Sequence, residues 1–259
     1  MIQEIEGEQI IRKVSAVGNG AHVFAPREWL GNDVIMVRKP QKSVDEKILG
    51  LILPYLKDIK GVYLYGSYAR GEAREDSDID ILVIANKKLK IKKKGYEIVV
   101  LQEEDITKAI KIAPVLIYSA LAEAQPIINS ELLNVLRKKY CPLAADFKEY
   151  VSETKKIISI NEELLDAYSI ILRLRGIYII NLLIKGESYS NKKFTSWLSK
   201  ILLGVDVVSL YENYRKRKKN GKSEDVSERH LRLALELLKN KTLELDKRIR
   251  RNGKKKKAA

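Results

Sequence analysis

The sequence predicts a mixed α/β domain, preceded by a small β-hairpin module and followed by a C-terminal helical bundle. Three observations carry that expectation. Strand-like runs at 62–65 and 79–84 bracket a Gly-Ser turn and a polar loop. The first 40 residues are punctuated by the turns Gly18-Asn19-Gly20 and Gly31-Asn32-Asp33. From 144 onward, strand patterns give way to helix-length apolar spacing. The boundaries follow as a β module at 1–40, an α/β domain at 41–140, a helical domain at 141–250 and a basic flexible tail at 251–259.

Within the first module, residues 9–17 alternate as a strand, 21–25 read as a short strand, 26–30 as one helical turn and 34–37 as another strand. The run VSAVGNGAHVFAPREWLGNDVIMV (14–37) resembles the AbrB-type swapped-hairpin module, with Gly20 and Ala25 departing from that pattern's usual Ser and Leu. The resemblance implies DNA binding or a purely dimerising role. Two hairpins this short can hardly bury a core alone, so pairing into a homodimer is expected.

Residues 43–56 carry an apolar helical stripe at Val44, Ile48, Leu49, Ile52, Leu53 and Leu56, with Ser43 as the candidate cap. The strand that follows stops at Gly66, a residue that permits backbone angles closed to others. Gly66-Ser67 opens a helical turn, whose unpaired N–H groups attract phosphate, and the Ser67 hydroxyl can add to them. Ser77-Asp78-Ile79-Asp80 then enters a continuously apolar strand. Residues two apart on a strand share a face, so Asp78 and Asp80 project side by side. Two adjacent carboxylates repel unless a cation sits between them, and Mg2+ does this while keeping positions open for triphosphate oxygens. A phosphate-binding turn followed closely by such a pair is what nucleotidyl transfer requires.

The pattern G-S-x-A-x-G followed by S-D-x-D, here Gly66, Ser67, Ala69, Gly71, Ser77, Asp78 and Asp80, resembles the signature of the DNA polymerase beta-like nucleotidyltransferase superfamily. The resemblance implies transfer of NMP from an NTP, with ATP the expected nucleotide, to an acceptor hydroxyl, and release of pyrophosphate. It implies that Asp78 and Asp80 hold two Mg2+ ions and that Gly66 and Ser67 hold the terminal phosphates, with Ser77 in the same nucleotide-binding set. Arg70 is either a phosphate contact or an exposed helix arginine. The family places a third carboxylate on the following strand, where this sequence has Glu97 instead of the usual Asp. There it would complete the metal site and act as general base. The acceptor stays open between a small molecule such as an aminoglycoside-like compound, a protein hydroxyl and an RNA end. The competing reading is a DNA-binding dimeric regulator or antitoxin-like protein that keeps the fold as scaffold; retention of both Asp78 and Asp80 argues against it.

Beyond the motif, the basic run 87–94 reads as a solvated hairpin tip before a strand at 96–101. Residues 107–124 form an apolar helix broken at Pro114, 126–128 an edge strand, and Ser130 caps a helix that runs to 139. Helices are then expected at 147–158, 162–184, 194–203 and 228–250. The segment 173–190 loosely resembles the helical partner domain of many minimal nucleotidyltransferases, also fused in kanamycin nucleotidyltransferase-like enzymes. Residues 214–222 read as a basic loop and 247–257 as a basic tail.

Forty-nine Lys and Arg against 34 Asp and Glu give a net charge of +15, which favours polyanionic partners and makes nucleic acid a candidate through the three basic runs. The single Cys141 excludes an internal disulfide and fits a reducing cytoplasm. His22 and His230 stand apart from any Cys or His cluster, which argues against zinc. No apolar run is expected to span a membrane, and the acidic start does not resemble a signal peptide.

Overall fold

The computed structural model describes residues 8–37, 42–220 and 226–255. The chain divides into two compact units, Met1–Ser43 and Val44–Ala259.

In the first unit, β1 (Ser15–Val17) pairs antiparallel with β2 (Gly20–His22) across a two-residue turn. Gly18, at φ 51°, supplies the left-handed backbone that such a tight hairpin favours in its first loop position. A single 3-10 turn, Arg27–Trp29, follows. The expected strands at 9–17 and 34–37 are corrected: pairing is confined to three residues at the first, and the second forms no strand. The physical reason is that extended backbone needs a partner strand for its N–H and C=O groups, and a hairpin of three-residue strands offers only short edges. None of residues 8–37 is buried, and Val34, Ile35, Met36 and Val37 are all more than half exposed.

The second unit is built on a four-stranded mixed sheet. It opens with α1 (Val44–Ile52) and a 3-10 segment, Leu53–Asp58, then runs through β3 (Ile59–Tyr65), the short α2 (Gly66–Ala69), β4 (Ile79–Ala85) and β5 (Tyr96–Gln102). The helices α3 (Ile106–Ile112) and α4 (Pro114–Glu123) follow, split where Pro114 lacks a backbone N–H. Next come β6 (Gln125–Ile128) and α5 (Ser130–Lys139). The strand order is β5-β4-β3-β6, with β3 antiparallel to both neighbours and β4 parallel to β5. That parallel pairing corrects the hairpin expected at 87–94. Residues 86–95 instead return along the sheet without a helix, pinned by buried Ile91 and by the Ile79 N–H donating to the Gly95 carbonyl at 2.9 Å. The cap of α5 is Asn129 rather than Ser130: its side chain accepts from the Leu132 N–H, and its backbone sits at φ 64°.

Side-chain alternation on the strands sorts two cores. Val62, Leu64, Ile81 and Val83 pack against Ile48 and Ile52 of α1. Tyr63, Tyr65, Leu82 and Ile84 face the other way, into a core shared with every later helix. Those helices are α6 (Lys148–Leu164), α7 (Ala167–Lys185), α8 (Asn191–Ile201), α9 (Val207–Asn220) and α10 (Glu228–Lys255). The helix expected as one piece at 162–184 is interrupted. Leu165 turns left-handed at φ 46°, Asp166 caps α7 by accepting from the Ser169 N–H, and buried Asn161 accepts from the Asp166 N–H at 2.7 Å. The whole of α7 is long and apolar enough to span a bilayer, contrary to the expectation from sequence; 56% of its most apolar window is buried against the rest of the protein, as in a core helix.

Two further expectations are corrected. The basic segment 214–222 is not a loop through 220: it belongs to α9, because Val207, Leu210, Tyr211 and Tyr214 are buried at helical spacing and the Arg and Lys residues after them are good helix formers. Its last two residues lie outside the described residues. Likewise residues 251–255 continue α10 rather than forming a flexible tail, since cations suit a helix C-terminus. Residues 256–259 lie outside the described residues.

Candidate active site

Strand register assembles the centre of the site. Tyr65 at the end of β3 stands opposite Asp80 on β4, and Asp80 stands opposite Glu97 on β5. Partners directly opposite one another point to the same face of a sheet. The row Tyr65–Asp80–Glu97 therefore projects from the face that carries the helices. Asp78 lies just before β4 and is exposed, as is Glu97, whereas Asp80 is half-buried.

Gly66 decides how close the turn comes to this row. Its φ of 73° lies in the left-handed region, and a Cβ added there would stand 1.9 Å from the Asp80 Oδ2. The backbone thus passes against the Asp80 carboxylate, and the Ser67 N–H donates to it. Burial, and next the charge of Glu97, push the Asp80 carboxyl up to about 6, against the opposing pull of Lys218, Arg70 and the Ser67 N–H. The Tyr65 phenol is raised as well, first by burial and then by the charges of Asp80, Glu97 and Glu123, so it remains a donor. Among the described residues its hydroxyl has no hydrogen-bond partner.

Gly66, Ser67, Arg70, Ser77, Asp78, Asp80 and Glu97 all line one cleft of about 940 Å3, so every site residue expected from sequence converges on a single space. Their present engagements differ from one another. Arg70 is neither exposed nor free: it is paired with Glu72 at 2.9 Å and with Glu123, and stacks over Tyr189 at 5.1 Å. The Ser77 hydroxyl accepts from the Arg74 N–H at 2.9 Å and so shapes the loop that carries Asp78.

Sequence reasoning missed the opposite wall. Helices α7 and α9 contribute Arg175, Tyr211, Tyr214, Arg215 and Lys218 to the cleft, and α4 contributes Glu123. Burial raises the Glu123 carboxyl, while the nearby cations Arg70 and Arg175 pull the other way. The loop 71–78 is fastened to this wall. Glu72 accepts from the Asn191 N–H at 2.9 Å at the start of α8, and Arg74 makes a bidentate pair with Glu212 of α9 at 2.9 and 3.2 Å. The apolar spacing of 207, 210, 211 and 214 was the available signal for α9; nothing local marks Glu123 or Arg175.

Comparison with known proteins places the family likeness in one part of the chain. Residues 46–132 match the family described as polymerase beta, nucleotidyltransferase. Those residues form a polymerase beta-like nucleotidyltransferase domain. The domain's match runs from α1 into α5, so it spans β3, β4, β5 and the whole Tyr65–Asp80–Glu97 row. A candidate protein adenylyltransferase of Methanocaldococcus jannaschii is 44% identical over 46 residues, which is 18% of this chain and 46% of that protein. The chain thus matches less than half the length of that relative. Spectinomycin adenyltransferase AAD(9) from Enterococcus faecialis, solved with ATP and spectinomycin, is similar in fold with a TM-score of 0.50 at 14% identity, over 76% of this chain and 96% of that one. The similarity extends past the nucleotidyltransferase domain, since 76% of the chain exceeds residues 46–132. A toxin–antitoxin structure with AMP-PNP aligns with a TM-score of 0.29 at 15% identity, over 48% of this chain and 100% of that one.

Proposed function

We propose that this chain transfers a nucleoside monophosphate from ATP to an acceptor hydroxyl, releasing pyrophosphate, with Mg2+ held by Asp78 and Asp80. The observation that carries the reading is the contact of the Gly66–Ser67 backbone with the Asp80 carboxylate, beside Glu97 in the next strand. ATP as donor is supported by the nucleotidyltransferase domain and by the adenylyltransferase name of its short-range relative.

The donor set suits a hard cation completed by substrate. Among the described residues no three His, Cys, Asp or Glu side chains are grouped so as to hold a metal, so the expected trio Asp78, Asp80 and Glu97 is not assembled as one such group. Mg2+ commonly takes only one or two carboxylates, with substrate phosphates and waters filling the remaining positions. The repulsion between Asp80 and Glu97 is the kind of cost a divalent ion relieves. When bound, Mg2+ would stabilise the charge of the triphosphate and lower the pKa of the acceptor hydroxyl.

The protein's own groups divide the remaining work. The acceptor oxygen attacks the α-phosphorus, the bond from that phosphorus to the bridging oxygen breaks, and the electron pair leaves with pyrophosphate. Glu97, exposed beside Asp80, takes the acceptor proton. Lys218, whose charge reaches Asp80, and Arg215, which reaches Asp76 at 4.0 Å, place cations where triphosphate oxygens would lie. Incubation with each α-labelled NTP, Mg2+ and cell extract, followed by sorting of label into protein, RNA and small molecules, tests the proposal. Transfer of label from ATP that disappears in Asp80→Asn is the expected result; no transfer from any NTP would overturn it.

The N-terminal unit supports a second, separate proposal, that the chain forms a homodimer through residues 8–37. That segment buries none of its own side chains and exposes a row of four apolar residues, Val34 to Val37.

A further inference from the structure

Residues 71–78 bring Asp78 to the cleft, yet not one of them is buried, although Ala69 and Ile79 on either side are. With no apolar anchor, polar contacts settle where this loop lies. Its side chains reach the helical wall at every second residue. The Glu72 carboxylate accepts from the Asn191 N–H at 2.9 and 3.1 Å and from the Lys192 N–H at 3.5 Å, 119 and 120 positions away. Those are the first two N–H groups of α8, which have no partner inside the helix, and the Ser190 hydroxyl takes the next one at 3.0 Å. The same carboxylate accepts from the Arg70 Nε at 2.9 Å, while the Glu72 N–H donates to the Ser67 carbonyl at 2.8 Å. Burial acts against its charge, but Arg70 and the N–H groups of α8 hold the carboxyl below its ordinary value. Two residues on, Arg74 grips Glu212 of α9 with two bonds, and two further on Asp76 stands 4.0 Å from Arg215. Within the loop, the Ser77 N–H donates to the Arg74 carbonyl at 3.0 Å and the Arg74 N–H to the Ser77 hydroxyl at 2.9 Å. A shift of Arg74 is thereby passed to Asp78 next to Ser77.

We infer that Glu72 and Arg74 are positioning residues: through them α8 and α9 set where Asp78 stands relative to Asp80, and so how well that pair takes a divalent cation with its nucleotide. The inference rests on the transferase reading above and gives the helical part of the chain a share in the metal site. Arg70, paired with both Glu72 and Glu123, extends the brace to α2 and α4. The two ties are unequal. The Glu72 side chain is 19% exposed and serves a guanidinium and a helix N-terminus, whereas Arg74 is 57% exposed, and ion pairs open to water contribute little. Glu72 is therefore the stronger tie.

Two measurements on the full chain test this: hydrogen exchange read by peptide mass spectrometry, and Mg2+ titration at a fixed concentration of α,β-methylene ATP. In Glu72→Ala, exchange across residues 71–78 should speed up by about tenfold or more while α10 stays protected. The Mg2+ concentration that half-saturates nucleotide binding should rise by about the same factor. A merely destabilised fold would lower the melting point and loosen α10 without moving that concentration. Glu72→Gln keeps an oxygen for the Asn191 N–H, so it should regain part of the loss, and it stands in if the Ala variant fails to fold. Arg74→Met and Glu212→Gln should each raise the Mg2+ requirement by about two- to fivefold, and the double variant no further than the larger single effect. Unchanged loop exchange in Glu72→Ala, or a loosened loop with an unaltered Mg2+ requirement, would overturn the inference. Additive effects of the two partners would overturn the part assigned to Arg74. No nucleotide binding by the wild type at any Mg2+ concentration would overturn the transferase reading, whereas wild-type binding shared in full by the variants would overturn this assignment alone.

Discussion

Replacing Asp80 by Asn should stabilise the metal-free protein at neutral pH while destroying its function. The carboxyl is pushed from its ordinary 3.8 up to about 6, by burial first and by Glu97 second. A carboxyl whose pKa is raised by folding favours the folded state fully below the unfolded value of 3.8, and that contribution is lost as pH rises through about 6. At about 1.4 kcal/mol per pH unit, the difference amounts to roughly 3 kcal/mol. Screening through the exposed side of the cleft lowers the useful figure to about 1–3 kcal/mol. Asn keeps the size and can still accept from the Ser67 N–H, but carries no charge to desolvate. At pH 8 in EDTA, Asp80→Asn should therefore melt higher than the wild type by about 2–12 °C, at about 2–4 °C per kcal/mol for a unit of this size. At pH 4 the gap should close. Added Mg2+ should raise the wild-type midpoint and leave the variant unmoved, because a ligand stabilises only the state that binds it. Calorimetric scans at the two pH values, with and without Mg2+, measure all of this. A variant that melts below the wild type at pH 8, or a gap that is equal at pH 4 and pH 8, would refute the electrostatic reasoning.

Further outcomes follow from the same geometry. Gly66→Ala should cost about 1–3 kcal/mol and abolish Mg2+–ATP binding, because its Cβ meets the Asp80 carboxylate in a backbone region that L residues avoid; denaturant titration and calorimetry read the two effects, and normal ATP binding would contradict the close contact. Glu97→Gln should lower the transfer rate by about 10²–10⁴-fold with far less change in ATP affinity, and unchanged turnover would remove Glu97 from the general-base role. Deleting residues 1–43 should convert a dimer to a monomer in light scattering while leaving ATP binding intact; a monomeric full chain would dispose of the self-pairing proposal. Replacing Arg215, Lys216 and Lys218 by Ser should weaken ATP binding and reduce its salt dependence, whereas the same change felt only by RNA or DNA would reassign that face of α9 to nucleic acid.

Much of the site was readable because it is local. The strand that ends at Gly66, the Ser67 turn and the SDID entry to β4 lie within a few residues of one another, so alternation and glycine placement determined that Asp80 would stand beside the turn. The helical character of most of the C-terminal half followed from apolar spacing alone. The rest depended on long-range partners. Whether β4 and β5 run parallel cannot be read from either strand, because the same ten-residue connection could turn back or cross over, and buried Ile91 is what ties it down as a crossover. Arg70 reads as either a phosphate contact or an exposed helix residue until Glu123, 53 positions away, comes to pair with it. The row Tyr65–Asp80–Glu97 exists only through strand register, and the Arg175 wall only through the packing of α7 and α9 over that face of the sheet. The sequence by itself determined the turn, the acids and the kind of chemistry they suit. Tertiary structure decided which charges are answered and which are left facing the cleft, since ion pairing and desolvation act between residues that only folding brings within a few ångströms.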